Sequence, residues 1–138
     1  MTDIVRKGGC HCGAVRFSAR MPADARPHLC NCSYCEMKGN VMVDVPLDAL
    51  TIDQGEDALT LYTFNTGVAK HRFCSSCGIH VFHQLRSEPD MFGINIVCLD
   101  GVSRYDHPAL QVLDGQNHPR DTGCGAQWAG TVKFEPEP

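Results

Sequence analysis

The sequence predicts a mainly-β protein built as a single domain, and three observations carry that expectation. Short runs of alternating apolar and polar residues recur along the chain. Gly, Pro, Asp and Asn break these runs at short intervals, as turn residues do. Helical periodicity is confined to single turns. A length of 138 residues suits one domain with a modest core, so residues 1–138 are taken as one unit.

Taken in order, Val15, Phe17 and Ala19 share one face of a first strand. Val41, Val43 and Val45 do the same in a second. Further strands are expected over 59–64, 68–73, 79–84 and 92–99, and a last one over 128–134. Asn65-Thr66-Gly67 reads as the hairpin turn between two of them. Ser33-Tyr34-Cys35-Glu36 fits a capping box, with Ser33 as N-cap, Glu36 at N3 and Gly39 closing the turn at C′. Another short turn is expected over 46–50. The Glu-Pro-Glu-Pro tail, 135–138, is expected to fray.

Charge and hydropathy narrow the function classes. A net charge of −4 argues against a nucleic-acid partner, which normally meets a basic face. Lys70-His71-Arg72 is the densest basic stretch and reads as a solvated strand edge. Apolar runs fall well short of a bilayer span, which argues against a membrane partner. The N-terminal stretch is too polar for a signal peptide, which points to a cytoplasmic protein.

Nine cysteines are a heavy load for such a chain. Their odd number, their close spacing and the cytoplasmic reading favour metal sites over disulfides. Three groups stand out: Cys10 and Cys12, then Cys30, Cys32 and Cys35, then Cys74 and Cys77. Two cysteine pairs close one tetrahedral zinc, so Cys10, Cys12, Cys74 and Cys77 give a structural site. The glycine after each pair suits a knuckle whose N–H groups point at sulfur. That leaves Cys30, Cys32 and Cys35 as three ligands with an open position, the pattern of a catalytic zinc. In an alternative grouping one more cysteine or a histidine closes the second site, with Cys98 as the obvious cysteine. Cys124, and less clearly Cys98, reads as a small buried hydrophobe. His80 and His83, three apart on a strand, are expected on opposite faces and so on no shared metal.

The segments GGCHCGAVRF, CNCSYC and HRFCSSCGIH, in this order and spacing, resemble the glutathione-dependent formaldehyde-activating enzyme family over roughly residues 9–113. FNTGVAKH and CLDG are similar to its centromere protein V branch. The resemblance implies a zinc-stabilised β-tent, also described as a complex β-sandwich, with short helical turns. It implies the same division into a structural zinc at Cys10, Cys12, Cys74 and Cys77 and a catalytic zinc at Cys30, Cys32 and Cys35. It implies carbon–sulfur lyase chemistry: glutathione and formaldehyde combined into S-hydroxymethylglutathione, or the reverse.

Elementary chemistry leans the same way. Three thiolates make a zinc electron-rich and a weak Lewis acid, yet such a zinc still binds a soft thiol and lowers its pKa. Glutathione or another small thiol, with a small aldehyde, is the expected substrate pair. Lys38, Lys70, Arg72 and Arg86 are candidates to meet the glutathione carboxylates. The zinc-deaminase reading fails because the HxE and PCxxC motifs are missing. The rival of another class is a zinc-stabilised binding module without turnover.

Overall fold

The computed structural model describes residues 2–138 as eleven strands with two short α-helices. Strands β1 (Asp3–Gly9), β2 (Arg16–Pro22) and β5 (Leu50–Gln54) form an antiparallel sheet in the order β1-β2-β5. The other eight are β3 (His28–Cys30), β4 (Met42–Pro46), β6 (Leu59–Tyr62), β7 (Lys70–Cys74), β8 (His80–Gln84), β9 (Met91–Asn95), β10 (Ala109–Leu113) and β11 (Trp128–Lys133). They run in the order β11-β10-β3-β4-β9-β8-β7-β6, antiparallel throughout except where β10 meets β3. Helices α1 (Ser33–Lys38) and α2 (Pro119–Thr122) are single turns or little more.

One apolar cluster joins the two sheets. Val15 and the inward residues of β2, Phe17, Ala19 and Met21, meet Val43 and Val45 of β4, Val81 and Phe82 of β8, and Ile94 of β9. The alternation that predicted β2 and β4 therefore marks the core face. The sheets also touch along a seam, where Gly8 of β1 bridges to Leu99.

Two expectations shift. The predicted strand over 92–99 stops at Asn95, and Ile96–Cys98 forms a 3₁₀ turn. The short apolar run 96–99 does not distinguish strand from tight turn. The cap of α1 moves by one residue: Cys32, not Ser33, is the N-cap, its sulfur accepting from the Cys35 N–H at 3.3 Å. Gly39 closes the helix in the left-handed conformation, φ 68°, as the spacing predicts. No helix among the described residues is long and apolar enough to cross a membrane.

Candidate metal and thiol site

Cys10 and Cys12 sit in the turn leaving β1, and Cys74 and Cys77 flank the turn from β7 to β8. Their four sulfurs lie within 4.8 Å of one another. The Cys10–Cys12 and Cys12–Cys74 separations are both 3.7 Å. Zinc–sulfur bonds of about 2.3 Å in a tetrahedron space the sulfurs by roughly 3.8 Å. The donor set and spacing therefore fit a closed zinc site. Val15 N–H donates to Cys10 Sγ at 3.2 Å and Ser76 N–H to Cys74 Sγ at 3.4 Å. Gly13 and Gly78 supply the left-handed residues these knuckles need, at φ 82° and 77°.

Cys30 ends β3, Cys32 caps α1 and Cys35 lies in its first turn, so their sulfurs also converge within 4.8 Å. No fourth Cys, His, Asp or Glu among the described residues joins this group. Hydrogen bonds from the Cys30 and Cys35 thiols pull Cys32 down to about 2. The same bonds raise Cys30 to about 11 and push Cys35 higher still. Cys98 stands apart, buried, with its thiol donating to His80 O at 3.5 Å. Burial lifts it to about 12. Cys124 is exposed rather than buried, because it lies just beyond α2 where no core packs on it.

The three sulfurs open into a cavity of about 520 Å³, which Asp44, His71 and Arg86 also line. Asp44 Oδ1 is buried and finds no hydrogen-bond partner among the described residues. Burial raises its carboxyl to about 6, helped by the charge of Glu88. Gly115 closes one wall. A Cβ there would meet Cys30 Sγ at 2.5 Å and Cys32 Cβ at 2.8 Å. Asn31 Oδ1 fixes that loop by accepting from Gly115 N–H at 2.7 Å and Gln116 N–H at 3.0 Å. Neither Asp44 nor Gly115 was visible as a site residue in the sequence. The Asp-Gly pair at 114–115 signals a turn, but nothing in it signals what the turn covers.

The four basic candidates divide. Arg86 reaches the cavity, with its guanidinium held by Asp121 at 3.1 Å. Lys38 extends from the end of α1 and is half-buried against Tyr34 and a group of histidines, its pKa lowered by burial to about 8. Lys70 and Arg72 do not reach the cavity. They line a separate depression with Leu50 and Phe92, because β7 turns alternate residues to opposite faces and gives His71 to the cavity side.

The histidines depart most from expectation. His71, His80 and His83 gather with ring nitrogens within 4.8 Å of one another. The reason is a β-bulge. Arg72 pairs with Phe82 but Phe73 pairs with His80, so Val81 is an extra residue in β8. Two residues then oppose one, and the alternation skips a step. His80 and His83 share a face, beside His71, which pairs with His83 across the strands. Burial holds His71 at about 4 and His80 at about 2, with the Lys38 charge adding to it, and lowers His83 strongly.

Known proteins align with this picture. The model of the glutathione-dependent formaldehyde-activating enzyme family matches residues 5–113. A curated relative from Talaromyces marneffei, named for glutathione-dependent formaldehyde activation, is 27% identical over 93 residues. That match covers 64% of this chain and 49% of the relative, so the chain spans about half the relative's length. A crystal structure of a Rhodobacter sphaeroides protein superposes with a TM-score of 0.70 at 42% identity, covering 72% of this chain and 93% of that one. With most of its length matched by that family's model, and with its three cysteine groups assembled into two clusters, the chain belongs to the glutathione-dependent formaldehyde-activating enzyme family.

Proposed function

We propose that this β-tent domain adds a small thiol such as glutathione to formaldehyde or a related small carbonyl, or reverses that addition, as a carbon–sulfur lyase. The observation that carries the reading is the set of three converging sulfurs, without a fourth side-chain ligand among the described residues, facing a cavity. Cys30, Cys32 and Cys35 would hold zinc there, and Cys10, Cys12, Cys74 and Cys77 a structural zinc. Zinc on three thiolates supplies a soft centre that accepts another sulfur and lowers its pKa.

The chain's own residues then have defined tasks. Addition forms a carbon–sulfur bond, moves the carbonyl π pair onto oxygen, and transfers the thiol proton to that oxygen. No oxidant or reductant is required. Asp44, raised to about 6 and facing the same cavity, is poised to accept and return that proton near neutral pH. Arg86, which lines the cavity, would meet a carboxylate of the thiol substrate. The Gly115 wall leaves the sulfurs accessible where a side chain would cover them.

Cys32→Ser tests this cleanly. Serine is a favoured N-cap, so the variant should keep α1 and the fold. Glutathione binding to the zinc-loaded protein, followed by calorimetry, should be lost in the variant. Exchange between formaldehyde and its glutathione adduct, followed by NMR, should fall to the uncatalysed rate. Equal glutathione affinity in the two proteins, or no acceleration by the wild type, would sink the proposal and leave a binding module.

A further inference from the structure

We propose that His71, His80 and His83 form a third metal site, separate from both cysteine clusters, which takes a borderline divalent cation such as Zn²⁺ through three imidazoles. The assignment rests on the imidazoles alone and holds whether or not the sulfur trio takes a thiol.

Convergence is the first argument. Three rings from two strands bring their nitrogens within 4.8 Å while each is more than nine-tenths buried, at 3%, 8% and 4% exposure. Chance packing rarely buries three polar rings against one another, because each has two nitrogens that need partners. Here the need goes unmet: His71 Nε2 and His83 Nδ1 are buried and find no hydrogen-bond partner among the described residues. Leaving such atoms unsatisfied is costly, and a cation ligated through them would remove that cost.

The fold also makes specific room for the rings. The Val81 bulge sacrifices strand pairing and re-aims His80 onto the face of His83. Gly93 stands opposite His83, where a Cβ would strike the ring at 2.7 Å. The ligand chemistry is equally selective. The group contains no sulfur or carboxylate. Buried imidazole is held in its neutral form, which is the form that ligates, and neutral nitrogen donors suit zinc, cobalt, nickel or copper better than magnesium or calcium.

Lys38 shows what the rings attract. Its Nζ lies 3.2 Å from His71 Nδ1 and 3.2 and 3.5 Å from the two ring nitrogens of His80, so an ammonium already sits against the rings. The residue lies at the end of a six-residue helix on a flexible stem, and can withdraw toward the larger depression that it lines with His80. Lys38 is therefore a built-in competitor for the cation. His80 and Lys38 line that depression while His71 and His83 line the sulfur cavity, which puts the site in the wall between the two.

The full-length protein is loaded with excess Zn²⁺, freed of loose metal by gel filtration, and its metal content measured per chain. Wild type should hold three equivalents. His80→Gln and, separately, His83→Gln should hold two, with melting curves verifying that each is folded. Two substitutions are used so that failure of one buried variant to fold leaves the other. Co²⁺ filling the third position should add nitrogen-ligand visible bands and no new thiolate charge-transfer absorption. Lys38→Met should tighten the third equivalent by about tenfold or more, since a like charge within contact distance is removed. A folded glutamine variant that holds as many metals as wild type, whatever that number, would overturn the proposal and leave the rings as a cradle for the Lys38 ammonium. Three metals in either folded glutamine variant, or unchanged third-site affinity in Lys38→Met, would overturn it equally.

Discussion

Asp44 shows how much one side chain can couple stability to the site. Its carboxyl sits in the wall of the sulfur cavity and titrates near 6 rather than 3.8, chiefly because burial penalises the charge. A raised carboxyl favours the protonated form in the fold. Its contribution is fully present below about pH 4 and is lost as pH rises through about 6. A shift of that size corresponds to on the order of 3 kcal/mol once the group is ionised. Asp44→Asn should therefore be the more stable protein at pH 7, with the advantage vanishing by pH 4. Urea unfolding of both proteins from pH 4 to 8 measures this, and taking their difference removes the shared cysteine titration. A constant difference across that range would show that Asp44 is not held protonated. The same variant should lose the addition activity, since stability and catalysis conflict at such a residue. Sequence alone concealed Asp44 because Val43 and Val45 mark the core face of β4 and so assign residue 44 to the solvent side. That inference holds for a strand with one bare face. β4 lies fourth among eight strands, and its other face is covered by the cavity.

Among the elements, the seam between the two sheets depends on the absence of a side chain. A Cβ on Gly8 of β1 would collide with the carbonyl oxygen of Cys98 and with the ring of Phe17. Both neighbours are buried, and one is backbone that has no rotamer to escape into. Gly8→Ala should cost about 1–3 kcal/mol as an overpacked contact, read as a lowered melting temperature with the metal content unchanged. A melting temperature equal to wild type would mean that the seam yields freely. The sequence located β2, β4, β6, β7, β8, β9 and β11 through their alternation or their turn signals, with β9 ending earlier than expected. It gave no sign of β1, β3, β5 or β10; β3 is three half-buried residues and β10 buries only Leu110, so neither carries a strong pattern of its own. It misjudged His80 and His83 for a sharper reason. A strict period of two forbids residues three apart from sharing a face, and a bulge cancels that rule by inserting one residue without altering the composition. The Cys32 cap was hidden in a similar way, since a Ser followed three residues later by Glu is a strong cap signal. Sulfur at the preceding position took the role because the trio already fixes it at the helix end.

At the scale of the molecule, the four-sulfur cluster ties the turn after β1, from the smaller sheet, to the turn between β7 and β8, from the larger. The cysteine grouping was legible because pair spacing is local, whereas the trio's cavity was not, since its walls come from residues as distant as 44, 71 and 115. The energetic comparison is lopsided. Structural zinc binding contributes about 10–16 kcal/mol in small domains. The whole stability of a protein this size is about 5–15 kcal/mol. With zinc bound at Cys10, Cys12, Cys74 and Cys77, Cys77→Ser or exhaustive chelation should therefore unfold the chain or leave the two sheets undocked. Hydrogen exchange would show which, because β1, β2 and β5 should lose protection before β4, β8 and β9. Cys32→Ser should leave protection in both sheets near the wild-type level, because the trio closes no link between them. A Cys77→Ser protein as protected and as heat-stable as wild type would remove the four-sulfur cluster from its structural role. The opposite ranking of the two variants would move that role to the trio, and the open thiol site with it.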